Sequence, residues 1–171
     1  MDLTRRRLLG IGLVGTAALA LAGVGLGLRP GVETAPQTEL LVLTPTQFSV
    51  LAALSVVVCP GDDALPDARH FQVAEKLDAT LATVHPGLAA ELGQALLLLE
   101  NALAGAFLEG RITPFTACTR AEQTEIWNSW ARSDLALRRT VFKGLTGLIT
   151  ATYWSHQELW AAIDYPGPPT V

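Results

Sequence analysis

From Leu43 onward, apolar residues recur at three- and four-residue spacing, with capping signals between the runs, as in amphipathic helices rather than strands. Thr44-Pro45-Thr46-Gln47 reads as a capping box with proline at the first helical position. The helix it opens carries Phe48, Leu51, Ala52, Ser55 and Val58 on one face and Val50, Leu54 and Val57 on the other. It is therefore expected to be buried nearly all round. Cys59-Pro60-Gly61 stops it, and the turn from Pro60 to Pro66 leads to a second helix, expected from Phe71 to Val84. After a break at Pro86-Gly87, the longest body helix is expected over Leu88 to Phe107. Its stripe would be Leu92, Leu96, Leu99, Leu103 and Phe107, with Glu91, Gln94 and Asn101 toward water. Thr119-Arg120-Ala121-Glu122 is a second capping box, opening a helix with Ile126, Trp127 and Trp130. Ser133 is read as the cap of another, carrying Val141, Phe142, Leu145, Leu148, Ile149 and Tyr153. Ser155-His156-Gln157-Glu158 reads as a third box before a last short helix through Trp160. The tail Asp164-Tyr165-Pro166-Gly167-Pro168-Pro169 is expected to be extended. The pattern has no strand alternation and no internal repeat, so the fold class is all-α, an irregular helical bundle.

A different kind of segment precedes this body. Thr4-Arg5-Arg6-Arg7-Leu8-Leu9 enters an uncharged apolar run from Leu8 to Leu28, closed by Arg29-Pro30. Paired arginines after a threonine and before two large apolar residues resemble a twin-arginine export signal, with Thr4, Arg5, Arg6, Leu8 and Leu9 as its signature; the alternative is an ordinary secretory signal or membrane anchor with an extra positive charge. As a helix the run would span about 30 Å, enough to reach across a bilayer. Its many glycines make it a soft apolar core and a weak membrane helix. Gly23 and Gly27 form a GxxxG pair. Ala20-Leu21-Ala22 fits a small-x-small cleavage site but lies inside the run, and Ala35 is poorly flanked by Glu33 and Pro36. A cleaved leader and a retained anchor are both open, with the body on the outer side. The chain divides into residues 1–35, signal or anchor plus short linker, and residues 36–171, the helical domain. Gly10-Ile11-Gly12-Leu13-Val14-Gly15 imitates a dinucleotide fingerprint, but three arginines stand where a strand must.

Charge follows the same division. The first 29 residues hold Arg5, Arg6, Arg7 and Arg29 against Asp2, whereas the whole 171-residue chain is net −4. The body is therefore acidic, and no basic patch interleaved with aromatics points to nucleic acid. Cys59 and Cys118 would allow one bridge in an oxidising compartment, or are two unrelated buried thiols. They are too few to hold an iron–sulfur cluster alone.

Chemistry-bearing motifs are scarce. His70, His85 and His156 form no HxxxH or ExxH pattern, and the body has no nucleophile elbow or phosphate loop. Asp62, Asp63 and Asp67 gather at a proline-rich turn without the twelve-position calcium-loop pattern, and read as turn-forming. The chain is read as having no catalytic, cofactor or metal residues of its own.

Leu43-Thr44-Pro45, Leu51-Ala52-Ala53-Leu54, Val57-Val58-Cys59-Pro60-Gly61-Asp62, Pro66-Asp67-Ala68, Val73, Leu77-Asp78, Phe142, Tyr153-Trp154, Trp160 and Ile163-Asp164-Tyr165-Pro166-Gly167-Pro168 together carry a resemblance. Over most of residues 43–168 the chain resembles the gluconate 2-dehydrogenase subunit 3 family, small subunits of membrane-associated flavin dehydrogenases. It departs at Asp67 and Asp164, where the resemblance leads one to expect glycine. The resemblance implies a non-catalytic partner of an FAD-dependent large subunit, which often passes electrons to a multihaem cytochrome c subunit. It implies that FAD sits in the partner. It also implies that the small subunit's signal brings the folded pair to the twin-arginine translocase and the periplasmic side of the inner membrane. Pro60, Gly61, Asp62 and Pro66 of the turn, and Tyr165, Pro166 and Gly167 of the tail, are the expected partner contacts, because proline-rich segments bind at low ordering cost. Trp154 and Trp160 are candidate anchors, with Trp127 and Trp130 weighed beside them; one or two tryptophans are expected to be exposed. The alternative is a stand-alone, membrane-anchored helical scaffold without a flavoprotein.

Overall fold

The computed structural model describes residues 31–101 and 112–167. The export signature Thr4, Arg5, Arg6, Leu8 and Leu9, the stripe positions Leu103 and Phe107, and Pro168 and Pro169 lie outside the described residues. Six α-helices and one 3₁₀ turn make up the regular structure there: α1 (Pro45–Val58), α2 (Val73–Leu81), α3 (Pro86–Glu100), the 3₁₀ turn Phe115–Ala117, α4 (Arg120–Ala131), α5 (Ala136–Trp154) and α6 (Gln157–Ala162). No strand occurs among the described residues, and none of their helices is long and apolar enough to cross a membrane.

Helix α1 is the hub. It packs against α2, α3, α4, α5 and the 3₁₀ turn, while α5 also receives α2, α4 and α6. Phe48, Val50, Leu51, Leu54 and Val56 are all buried, so α1 has almost no solvent face. Two serines are buried within it. Ser49 and Ser55 donate their hydroxyl protons to the carbonyls of Pro45 and Leu51, each at 2.8 Å, which removes the cost of burying them. Between α4 and α5, Trp127 packs with Trp130 and Phe142, and the Arg138 guanidinium lies 4.7 Å from the Trp130 ring centre.

The capping boxes at Thr44 and Thr119 form as read, with both reciprocal hydrogen bonds in place. Other boundaries differ, each for a local reason. Helix α2 starts at Val73, because Gln72 takes a left-handed φ of +52° that cannot be helical. It stops at Leu81, where the Thr83 hydroxyl takes the Thr80 carbonyl. Pro86 does not break α3 but starts it, with the His85 ring accepting from Gly87 N. That helix ends at Glu100, so the longest described helix is α5, of 19 residues. Ser133 accepts from Leu135 N, and the helix it was expected to cap begins at Ala136. The third capping box is not made. Helix α5 runs on through Trp154, Ser155 becomes its C-cap, and the serine hydroxyl turns back to Thr152 O.

Candidate partner interface

The turn after α1 is closed by its own polar groups. Asp62 Oδ1 accepts from the amides of Ala64 and Leu65, and Asp62 N donates to Leu65 O. Ala68 N donates back to Cys59 O, joining the two ends of the loop. Gly61 has a φ of +71°, and a Cβ there would lie 2.6 Å from both Asp67 N and Leu65 O, so only glycine fits. Asp67 accepts from the amides of Arg69 and His70, and the Arg69 guanidinium forks onto its other oxygen. Burial pushes the Asp67 carboxyl up, but these bonds and the Arg69 charge outweigh it and hold it below the usual range. Thus Asp62 and Asp67 use their oxygens to shape the loop. Pro60, Asp62 and Pro66 are exposed on it, and Gly61 is half-buried.

The tail is folded back rather than extended as far as Gly167. Asp164 N donates to Ala161 O, and Tyr165 N donates to Trp160 O at 2.9 Å. That pairing is a Schellman motif with Asp164 as its left-handed residue, at φ +52°. The motif explains why the family resemblance leads one to expect glycine at this position. Its usual apolar contact is present as an edge-on ring pair between Trp160 and Tyr165, 5.5 Å apart. Gly167 lies against the same ring, where a Cβ would be 3.1 Å from Trp160 Cζ3. None of the four tryptophans is exposed: Trp127 and Trp130 are buried, Trp154 and Trp160 half-buried. Tyr165 and Pro166 are exposed.

Two neighbouring residues bring turn and tail to one end of α5. Tyr153 donates its phenol to Pro66 O, and Trp154 O accepts from Trp160 Nε1 at 2.8 Å. His156 joins them, with Nδ1 against Tyr153 O, its ring 4.7 Å from Phe71, and Nε2 against Lys76 Nζ.

Cys59 and Cys118 are not bridged. Cys59 is buried, and burial pushes its thiol up to about 11, whereas Cys118 donates to Pro114 O. Among the described residues no group of three or more His, Cys, Asp or Glu side chains is placed to hold a metal.

Two features escaped the sequence. Asp78, buried on α2, accepts from three successive amides, Leu41, Val42 and Leu43, at 2.6, 3.1 and 2.8 Å. Asp78 stands among the residues that carry the resemblance, but nothing in the sequence marks its role, because its donors are backbone groups 35 to 37 residues earlier. The second is an apolar groove of about 560 Å³ between α3 and α5, walled by Leu88, Leu92 and Leu98 on one side and Leu137, Val141 and Leu148 on the other. It joins a wholly apolar pocket floored by Leu51, Leu77 and Leu81. Leu88 and Leu137 are 54% and 63% exposed there. The four-leucine run Leu96–Leu99 makes α3 apolar on more than one side, which hid the second stripe.

A family model described as gluconate 2-dehydrogenase subunit 3 matches residues 45–167, from the first residue of α1 to the last described position. No curated protein and no solved structure matches the chain.

Proposed function

The chain belongs to the gluconate 2-dehydrogenase subunit 3 family, and on that premise we propose that it is the non-catalytic small subunit of an FAD-dependent dehydrogenase. The family match across the helical body carries this reading. The partner would oxidise a sugar, sugar acid or alcohol and hold the FAD, and in some assemblies pass electrons to a multihaem cytochrome c. The small subunit would stabilise it and lend it the twin-arginine signal at Thr4-Arg5-Arg6, so that the folded pair reaches the periplasmic side of the inner membrane.

The α3–α5 groove supports an obligate subunit, since an apolar recess of this kind costs free energy while it faces water. The turn and tail support it as well, because both are already ordered and lose little freedom on contact. The test is a co-purification from gently solubilised membranes with a tag on the C-terminus, repeated with Arg5 and Arg6 both changed to lysine. A yellow FAD protein that co-elutes, and stays in the cytoplasm with the double variant, is expected. A lone 18.2 kDa chain without flavin absorbance would leave the stand-alone scaffold instead.

A further inference from the structure

The segment between the leader and α1 is not a loose tether. Val32 N donates to Thr116 Oγ1 and Thr34 N to Ser49 Oγ, each at 2.9 Å, and Gln37 N donates to Glu75. Gln72 then bonds the Gln37 side chain at 2.6 Å, and Asp78 takes the amides of Leu41, Val42 and Leu43. The receiving groups come from α1, α2 and the 3₁₀ turn, elements that meet only when the body has folded. Thr116 is itself fixed by Glu100 at the end of α3, through its amide at 2.9 Å and its hydroxyl at 2.6 Å. Gly31 sits directly on that pair: a Cβ there would lie 1.9 Å from Glu100 Oε1 and 2.2 Å from Thr116 Oγ1. Beneath Thr34, Ala35 and Gln37 lies a cavity of about 370 Å³ lined by Phe48, Val56 and Ala74 of the body.

We propose that residues 31–43 are a strap belonging to the mature body and that processing never enters the strap. This rests on the export reading above. A cut after Ala35 would detach the two amides held by Thr116 and Ser49 and would open the cavity over Phe48. A peptidase also needs its substrate extended and free to pair with its own backbone, whereas alternate amides of this stretch already point into the body. Because the acceptors are assembled by folding, the strap closes only on a folded chain.

The test has two arms on the full chain. Intact-mass analysis of the exported protein, with the double lysine variant as the unexported reference, should show residues 31–43 retained; a mature chain starting at Pro36 would overturn the proposal. Amide hydrogen exchange on the purified protein should show Val32, Thr34 and Leu41–Leu43 protected. Asp78→Asn should lose at least tenfold protection at Leu41–Leu43 while α5 keeps its own. Unprotected strap amides in the unaltered chain would overturn it equally. If the double lysine variant is exported like the parent, the export reading fails, while the exchange arm still decides the strap.

Discussion

The Tyr153 hydroxyl donates a 2.6 Å hydrogen bond to the carbonyl of Pro66, across 87 residues of chain. It fastens the turn after α1 to the C-terminal end of α5. Tyr153→Phe keeps the ring contact with Phe71, 5.5 Å between centres, and removes only this bond. We expect a loss of about 1 kcal/mol in denaturant unfolding, with faster amide exchange concentrated between Asp62 and Ala68. Exchange spread evenly over the molecule would mean that the turn is held by other contacts.

Asp164 occupies a left-handed position that glycine adopts without penalty. Asp164→Gly should therefore stabilise the protein by about 0.5–1 kcal/mol, visible as a melting temperature higher by a few degrees. Asp164→Ala, which keeps the Cβ and loses the polar side chain, should do the opposite.

How far the sequence could be read depended on whether a residue's partner is local. Thr44 and Thr119 cap as their spacing says, because box partners stand three residues away. Ser155 has the same spacing and fails, since α5 has enough favourable contacts to continue through Trp154 and take Ser155 as its own end. The Schellman closure at Asp164 was concealed by prolines that point to an extended tail. Asp78 and the strap were illegible for a further reason: a carboxylate that binds backbone amides leaves no trace in the identity of the residues it binds. The candidate turn and tail were located by resemblance and composition, but their meeting at Tyr153 and Trp154 required the fold.

Leu137 is exposed on the groove wall and contributes little to the isolated body. Leu137→Asp should leave the melting temperature within a few degrees of the parent and reduce recovery of the FAD protein in the tagged pull-down at least tenfold. Undiminished recovery would move the interface to the turn and tail.

Burial raises the Cys59 thiol from 9.0 to about 11, so the folded state holds its proton more tightly than the unfolded state. That contribution to stability is complete below pH 9 and is lost as pH rises toward 11. Denaturant midpoints measured over this range should fall, and Cys59→Ala should flatten that part of the profile. In the folded protein, Cys59 should react with alkylating reagents more slowly than an unfolded thiol at pH 8.

Leu40-Leu41-Val42-Leu43 is four successive large aliphatic residues, with Leu41 63% and Val42 39% exposed. A run of this kind with unpaired amides is a template on which another chain can add a β-strand. Leu41 to Leu43 instead bend so that all three amides meet the Asp78 carboxylate, which takes those donors away from any added strand. Asp78→Ala, which frees those donors beside exposed Leu41 and Val42, is therefore expected to form thioflavin-binding aggregates at concentrations where the parent stays monodisperse.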